Sequence, residues 1–163
     1  MTIIIKNKET LIFENFTFKC CIGKNGSTNN KIEGDMKTPK GIFSLGKVYY
    51  RKDRNIKPTT KLNVISINKK MGWCNDITNK NYNKLVKIDK NIKYEKLFRK
   101  DYKYDYILPI NYNSKNTKVG KGSAIFIHLS KNYKKTAGCI ALNKKDLLIL
   151  LKLINRKTKI KIL

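Results

Sequence analysis

Seven short runs, "TIIIK", "TLIFE", "FTFKCCIG", "GIFSLGKVYY", "LNVISIN", "YDYILPINY" and "SAIFIHL", are rich in β-branched and aromatic residues. Runs this short, with alternating or continuous apolar positions, predict strands rather than helices. The pieces between them, "GKNGSTNNKIEGD", "NKKMGWCND" and "NYNSKNTKVGKGS", hold the Gly, Asn, Asp and Ser that turns require. One stretch alone has a strong helical pattern. In "NKKDLLILLKLINRK", Asn143 is placed to cap, Asp146 lies three residues on near the positive helix end, and leucines or isoleucines fill the following turns. The closing "TKIKIL" alternates like an edge strand. The expected architecture is mainly β with a C-terminal helix packed on one face, because a sheet with one apolar face must bury it.

No repeat or low-complexity linker interrupts the pattern, so residues 1–163 are read as a single domain. A chain of this length buries roughly 70% of its unfolded surface, enough for one core. Its charge is less ordinary: 37 Lys and Arg stand against 11 Asp and Glu, a formal net charge of +26. Such a field attracts polyanions, among them nucleic acid, acidic lipid and carboxylate-rich wall polymer, without selecting one. The lysines also travel with abundant asparagine and isoleucine, as an AT-rich genome would supply, so compositional drift and a working basic surface both remain open.

Cys20, Cys21, Cys74 and Cys139 show no C-x-x-C spacing, and a sole histidine, His128, leaves too few partners for a Cys/His zinc site. No metal or cofactor is expected. Cys20 and Cys21 read as small buried hydrophobes. The start lacks a long apolar segment and a small-residue cleavage site, and no stretch approaches the roughly 18 apolar residues of a membrane span, so no signal peptide or transmembrane segment is read.

The chemistry concentrates in "SAIFIHLSKNYKKTAGCIALNKKDLLILL". His128 ends an apolar strand; Cys139 follows Thr136, Ala137 and Gly138 and precedes "IALN", a short strand leading into the helix. A thiol becomes a useful nucleophile when a neighbouring base takes its proton, and two adjoining strand ends would bring these side chains together. Gly138 lets backbone approach a substrate carbonyl, and amides near the cysteine would hold an oxyanion. Residue types alone leave a second reading, a core histidine and a buried cysteine with no joint role.

The same segment resembles the catalytic signature of the L,D-transpeptidase (YkuD) family, in which a histidine ends a strand and a Ser/Thr-His-Gly-Cys run carries the nucleophile. His128, Thr136, Gly138 and Cys139 match it. Upstream, "GDMKTPKGIF" resembles the family's Gly-Asp-x-x-Thr-Pro-x-Gly-x-Phe stretch through Gly34, Asp35, Thr38, Pro39, Gly41 and Phe43. "GWCND", Tyr82 with Asn83, "YDYILPINYN" and "GKGSAIFIH" are similar to short bacterial members, so the likeness spans residues 20–153. This chain departs at Ala137, where the family's second histidine stands, and at Ala141, where an arginine is usual. Its gap from His128 to Cys139 is also shorter.

The resemblance implies a β-sandwich-like fold and two-step acyl transfer on peptidoglycan stems containing diaminopimelate. Cys139 would form a thioester with a donor stem, with His128 as base. An acceptor amine would then give a 3,3-type or 1,3-type cross-link, whereas water would make the protein an L,D-carboxypeptidase. Ser130, a backbone carbonyl or an acidic side chain would orient His128. Trp73, Asp76, Tyr82, Asn83 and Thr136 are the expected substrate-binding residues, with Asp76 facing the diaminopimelate ammonium. Asp35 and Thr38 are expected to hold a turn. The activity implies the periplasm or cell wall, which sits awkwardly with the absence of a visible leader. The rival is a non-catalytic basic polyanion-binding module, with tyrosines of "DYKYDY" and "NYNKLVK" stacking on bases; no nucleic-acid motif accompanies it, and oligomeric state is not legible.

Overall fold

The computed structural model describes residues 1–163. In chain order the strands begin β1 (Thr2–Ile5), β2 (Thr10–Phe13), β3 (Phe16–Lys19), β4 (Ser27–Thr28), β5 (Thr38–Pro39), β6 (Gly41–Ser44), β7 (Val48–Tyr50) and β8 (Val64–Ser66). They continue β9 (Met71–Cys74), β10 (Leu85–Lys87), β11 (Tyr94–Lys96), β12 (Tyr106–Pro109), β13 (Phe126–Leu129) and β14 (Ile140–Leu142). Helix α1 (Lys144–Leu153) and β15 (Lys159–Ile162) complete the chain.

Two five-stranded sheets, ordered β3-β2-β1-β15-β6 and β14-β13-β12-β7-β8, carry the main core. Ile3, Ile5, Leu11 and Phe13 from the first meet Val48, Leu108, Ile127, Leu129 and Leu142 from the second, and α1 adds Leu147, Leu150 and Leu151. The fold is mostly β with one short late helix, as the strand-like runs and the single helical pattern predict. Asn143 caps α1, accepting from the Asp146 amide at 2.8 Å.

Three expectations are corrected. "TKIKIL" is interior: β15 runs parallel to β1 and antiparallel to β6. Its alternation arises because Ile160 and Ile162 face the core while Lys159 and Lys161 face solvent, and one-sided burial gives this pattern at any place in a sheet. The run "GIFSLGKVYY" divides into β6 and β7, which belong to different sheets. The turn-rich "NKKMGWCND" contains β9, the central strand of a three-stranded sheet ordered β10-β9-β11.

Strand β13 serves both faces of its sheet. It pairs parallel with β14, with Ile127 opposite Ile140 and His128 opposite Ala141. Side chains alternate across a sheet, so Ile127 and Leu129 enter the main core while Phe126 and His128 emerge on the other face. There Phe126 joins Cys139, Tyr104, Tyr49, Ile67, Leu97 and Ile107 in a second, smaller cluster.

Candidate active site

The parallel register places Cys139 beside Phe126 and on the same face as His128, two residues along the neighbouring strand. Diagonal neighbours of this kind lie within reach of long side chains. Both line one cavity of about 400 Å³, together with Thr136, Gly138, Glu33 and Tyr104.

The groups that hold each reactant are local. His128 is 7% exposed, and its Nδ1 lies 2.9 Å from the Leu129 carbonyl. A carbonyl only accepts, so Nδ1 carries the proton and Nε2 is left as the basic atom. Of the three candidate orienting groups, a backbone carbonyl fills the role. Tyr104 packs edge-on against the imidazole, ring centroids 5.2 Å apart. Burial pushes His128 down to about 4, against the pull of the Leu129 carbonyl and with the help of Lys103 and Arg99.

Cys139 is likewise kept neutral. Burial pushes its thiol up to about 12, partly offset by the Phe126 amide and reinforced by the Glu95 carboxylate. Its Sγ accepts from the Phe126 amide at 3.4 Å and donates to the Ala124 carbonyl at 3.2 Å. At neutral pH the cavity therefore holds a thiol and an uncharged imidazole, with the thiol proton resting on backbone.

The small residues before the cysteine shape its loop. Gly138 has φ +143°, and a Cβ there would come within 2.9 Å of the Lys37 carbonyl oxygen. The Thr136 hydroxyl donates to the Cys139 carbonyl at 2.5 Å and accepts from the Gly138 amide at 3.1 Å. Thr38, fully buried, donates to the Gly138 carbonyl at 2.8 Å and accepts from the Gly23 amide at 2.9 Å. It is thus a strut beneath the loop, while Asp35 receives the Ile32 and Lys37 amides, both at the turn before β5. The Cys139 amide donates to no protein group.

Of the expected binding residues, only Thr136 lines this cavity. Trp73 lies behind it on β9, edge-on to Phe126 with ring centroids 5.1 Å apart. Asn83 is a clamp: its Oδ1 accepts from Trp73 Nε1 and from the Ala124 amide, each at 3.0 Å. Its Nδ2 donates to the Tyr112 and Asn113 carbonyls at 3.0 and 2.8 Å. Asn83 therefore fixes Ala124, which sits at φ +52° and whose carbonyl receives the thiol. Asp76 is consumed by its own turn, accepting from Thr78 Oγ1 at 2.7 Å, the Thr78 amide at 3.0 Å and the Lys93 amide at 3.2 Å. Tyr82 is 1% exposed and donates to Glu33.

Sequence reasoning misses Tyr104, Glu33, Ala124 and the Leu129 carbonyl. No local signal marks the last two, because backbone carbonyls leave no trace in residue type. Tyr104 lies within "DYKYDY", which reads from sequence as a stacking surface; Tyr104 and Tyr106 are 6% and 2% exposed and Tyr82 of "NYNKLVK" 1%, so these three rings offer no face to a base, whereas Tyr102 is 45% exposed. Cys20 and Cys21 are free and buried, as small apolar thiols should be.

Among protein families, the model of YkuD, the L,D-transpeptidase catalytic domain, matches residues 1–162. No curated protein matches the chain.

Proposed function

Because the chain belongs to the YkuD family of L,D-transpeptidase catalytic domains, which act on cell-wall peptidoglycan, we propose that residues 1–163 act as one cysteine-dependent acyltransferase on peptide stems containing diaminopimelate. The observation that carries this reading is one shared cavity lined by both Cys139 and His128, with His128 Nδ1 tied to the Leu129 carbonyl so that Nε2 is left as the basic atom.

The first step rests on the protonation states. With substrate seated, the Cys139 proton leaves the Ala124 carbonyl for Nε2 as sulfur attacks the diaminopimelate carbonyl of a donor stem. Negative charge developing on the carbonyl oxygen is met by the unengaged Cys139 amide. His128 then returns the proton to the leaving amine, and the stem's C-terminal piece departs, leaving a thioester. Aminolysis by a second stem, with His128 again accepting a proton, regenerates the thiol and forms the cross-link. Hydrolysis would instead trim the stem, the L,D-carboxypeptidase outcome.

The neutral resting pair has a consequence: the thiolate is generated at the moment of attack rather than stored. Burial that raises the thiol and lowers the imidazole disfavours a resting ion pair. Ala141, opposite His128 in the register, removes the arginine usual to the family from the cavity floor, and this supports a donor specificity of its own, 1,3-type cross-linking included. The site of action is then the periplasm or cell wall; no helix is long and apolar enough to cross a membrane.

The test is mass spectrometry of diaminopimelate muropeptides incubated with the wild type and with Cys139→Ala. The expected result is a thioester on the wild-type protein, with dimers or trimmed stems made by it alone; fragmentation assigns 3,3-type or 1,3-type linkage. Neither adduct nor product, with both proteins folded, overturns the reading.

A further inference from the structure

Glu33 is the one carboxylate whose surroundings the fold does not explain. Of 11 Asp and Glu, Asp35, Asp53, Glu95, Asp101 and Asp105 are in ion pairs. Asp76 and Asp89 close turns, and Asp146 meets the helix cap. Glu9 and Glu14 are exposed. Glu33 is half-buried on the wall of the Cys139 cavity and has no cation within ion-pair distance, in a chain carrying a net charge of +26.

Its carboxylate is nevertheless held firmly. One oxygen, Oε2, accepts from the Tyr82 hydroxyl and from Ser123 Oγ at 2.6 Å. The Tyr82 oxygen in turn accepts from the Gly122 amide at 3.0 Å, which directs its proton at Glu33. The Glu33 amide donates to the Gly120 carbonyl at 2.8 Å, pinning the backbone. Oε1 makes no hydrogen bond. Asn75, on the same cavity, adds a second acceptor: its side-chain Oδ1 is buried without a partner. A carboxylate oxygen left without a donor on the cavity wall, with an unpartnered amide oxygen on a second lining residue, suits a donor-only group.

Lys31, which also lines the cavity, does not supply that group, since its ammonium goes to Asp35 and to the Ile32 carbonyl. Lys131, Lys134 and Lys135, exposed at the cavity's edge, would repel a plain amine but attract a carboxylate. The ligand that satisfies both is a zwitterion, an ammonium adjacent to a carboxylate. We propose that Glu33, positioned by Tyr82 and Ser123 and joined by Asn75, binds the ammonium of an amino-acid zwitterion in the substrate stem. This inference rests on the transpeptidase reading for its substrate, and there the group is the free amino-acid end of diaminopimelate. It moves the role expected of Asp76 to a residue inside the cavity.

The test separates binding from chemistry. In the Cys139→Ala protein, calorimetry compares a tetrapeptide stem bearing free diaminopimelate with the same stem acetylated at that amine. A hydrogen-bonded charge pair of this kind gives roughly a 10- to 100-fold preference for the free amine. Adding Glu33→Gln, which keeps an acceptor for Tyr82 and Ser123, is expected to remove the preference by weakening the free-amine stem alone. Equal affinities in the Cys139→Ala protein, or a preference that survives Glu33→Gln, overturn the subsite. Thioester formation by the wild type is followed on both stems in parallel. A Glu33-dependent preference with no thioester would sink the transpeptidase reading and leave the subsite standing; thioester on both stems at equal rates would do the reverse.

Discussion

The two faces of strand β13 obey different rules. On one, Ile127 and Leu129 enter a core of 24 buried residues drawn from both large sheets and the helix. On the other, Phe126 and His128 meet a buried cluster of seven that includes Cys139. The first face needs only apolar volume, and neighbouring hydrophobes can exchange roles with modest loss. The second buries polar atoms, each of which must find a specific partner. His128 depends on the Leu129 carbonyl, Cys139 on Ala124 and Phe126, and Ala124 on Asn83. The same strand thus contributes bulk stability on one side and a poised reaction on the other.

The sharpest way to break this contrast is to change adjacent residues. Ile127→Ala is expected to lose about 2–5 kcal/mol of stability, by deleting buried volume, while retaining acylation in whatever fraction stays folded. His128→Gln is expected to reduce acylation by roughly 10²- to 10⁴-fold, the range for loss of a general base, with a melting temperature close to that of the wild type. Denaturant titration and thioester formation, measured on both variants, read the two effects separately. Acylation equally low in a fully folded Ile127→Ala would erase the division.

The next contrast is with pH. His128 sits at about 4 in the folded protein against an ordinary value of 6.5, so between these values the unfolded chain binds the proton and the native one does not. Stability is therefore fully present above pH 6.5, falls as pH drops toward 4, and levels below it. The span of the shift corresponds to about 3 kcal/mol. Denaturant midpoints across this window should show the slope in the wild type and a flatter profile in His128→Gln. Cys139 acts at the other end: raised from 9.0 to about 12, it contributes stability below pH 9 that is lost as pH rises through 12.

The same division decides how much of the molecule is legible in its sequence. The core face is legible, because "SAIFIHL" and "LLILL" reveal burial through apolar pattern alone. The nucleophile and base are legible as types, Cys139 and His128, through their place at strand ends. Their environment is not. Asp76 looks like an ammonium partner because charge type is visible in sequence, whereas its commitment to the Thr78 and Lys93 amides is not. Glu33 is hidden for the opposite reason: it lies in a turn-rich piece, and its value comes from Tyr82, 49 positions away, and Ser123, 90 positions away. β15 reads as an edge, though it is interior, because alternation reports which face is buried and not which neighbours a strand has.

A smaller effect sharpens the comparison from within the polar face. Asn83→Ala would leave the Trp73 indole and the Ala124 amide without their shared acceptor, and the Tyr112 and Asn113 carbonyls without their donor. The loss is expected at about 1–3 kcal/mol, because the loop is near enough to solvent for water to replace some of these bonds. Stability alone would not separate it from a core substitution. The distinguishing reading is acylation: a shifted Ala124 carbonyl releases the thiol from its resting contact, so the acylation rate per folded molecule should change in Asn83→Ala. In Asn143→Ala, which removes the α1 cap at about 1 kcal/mol and a bond to the Tyr133 hydroxyl but none to Ala124 or Cys139, it should not. Loss of the cap perturbs a helix whose buried side faces the main core; loss of the clamp perturbs the opposite face of the same sheet. An unchanged rate in both variants would mean that the thiol's attachment to Ala124 plays no part in setting its reactivity.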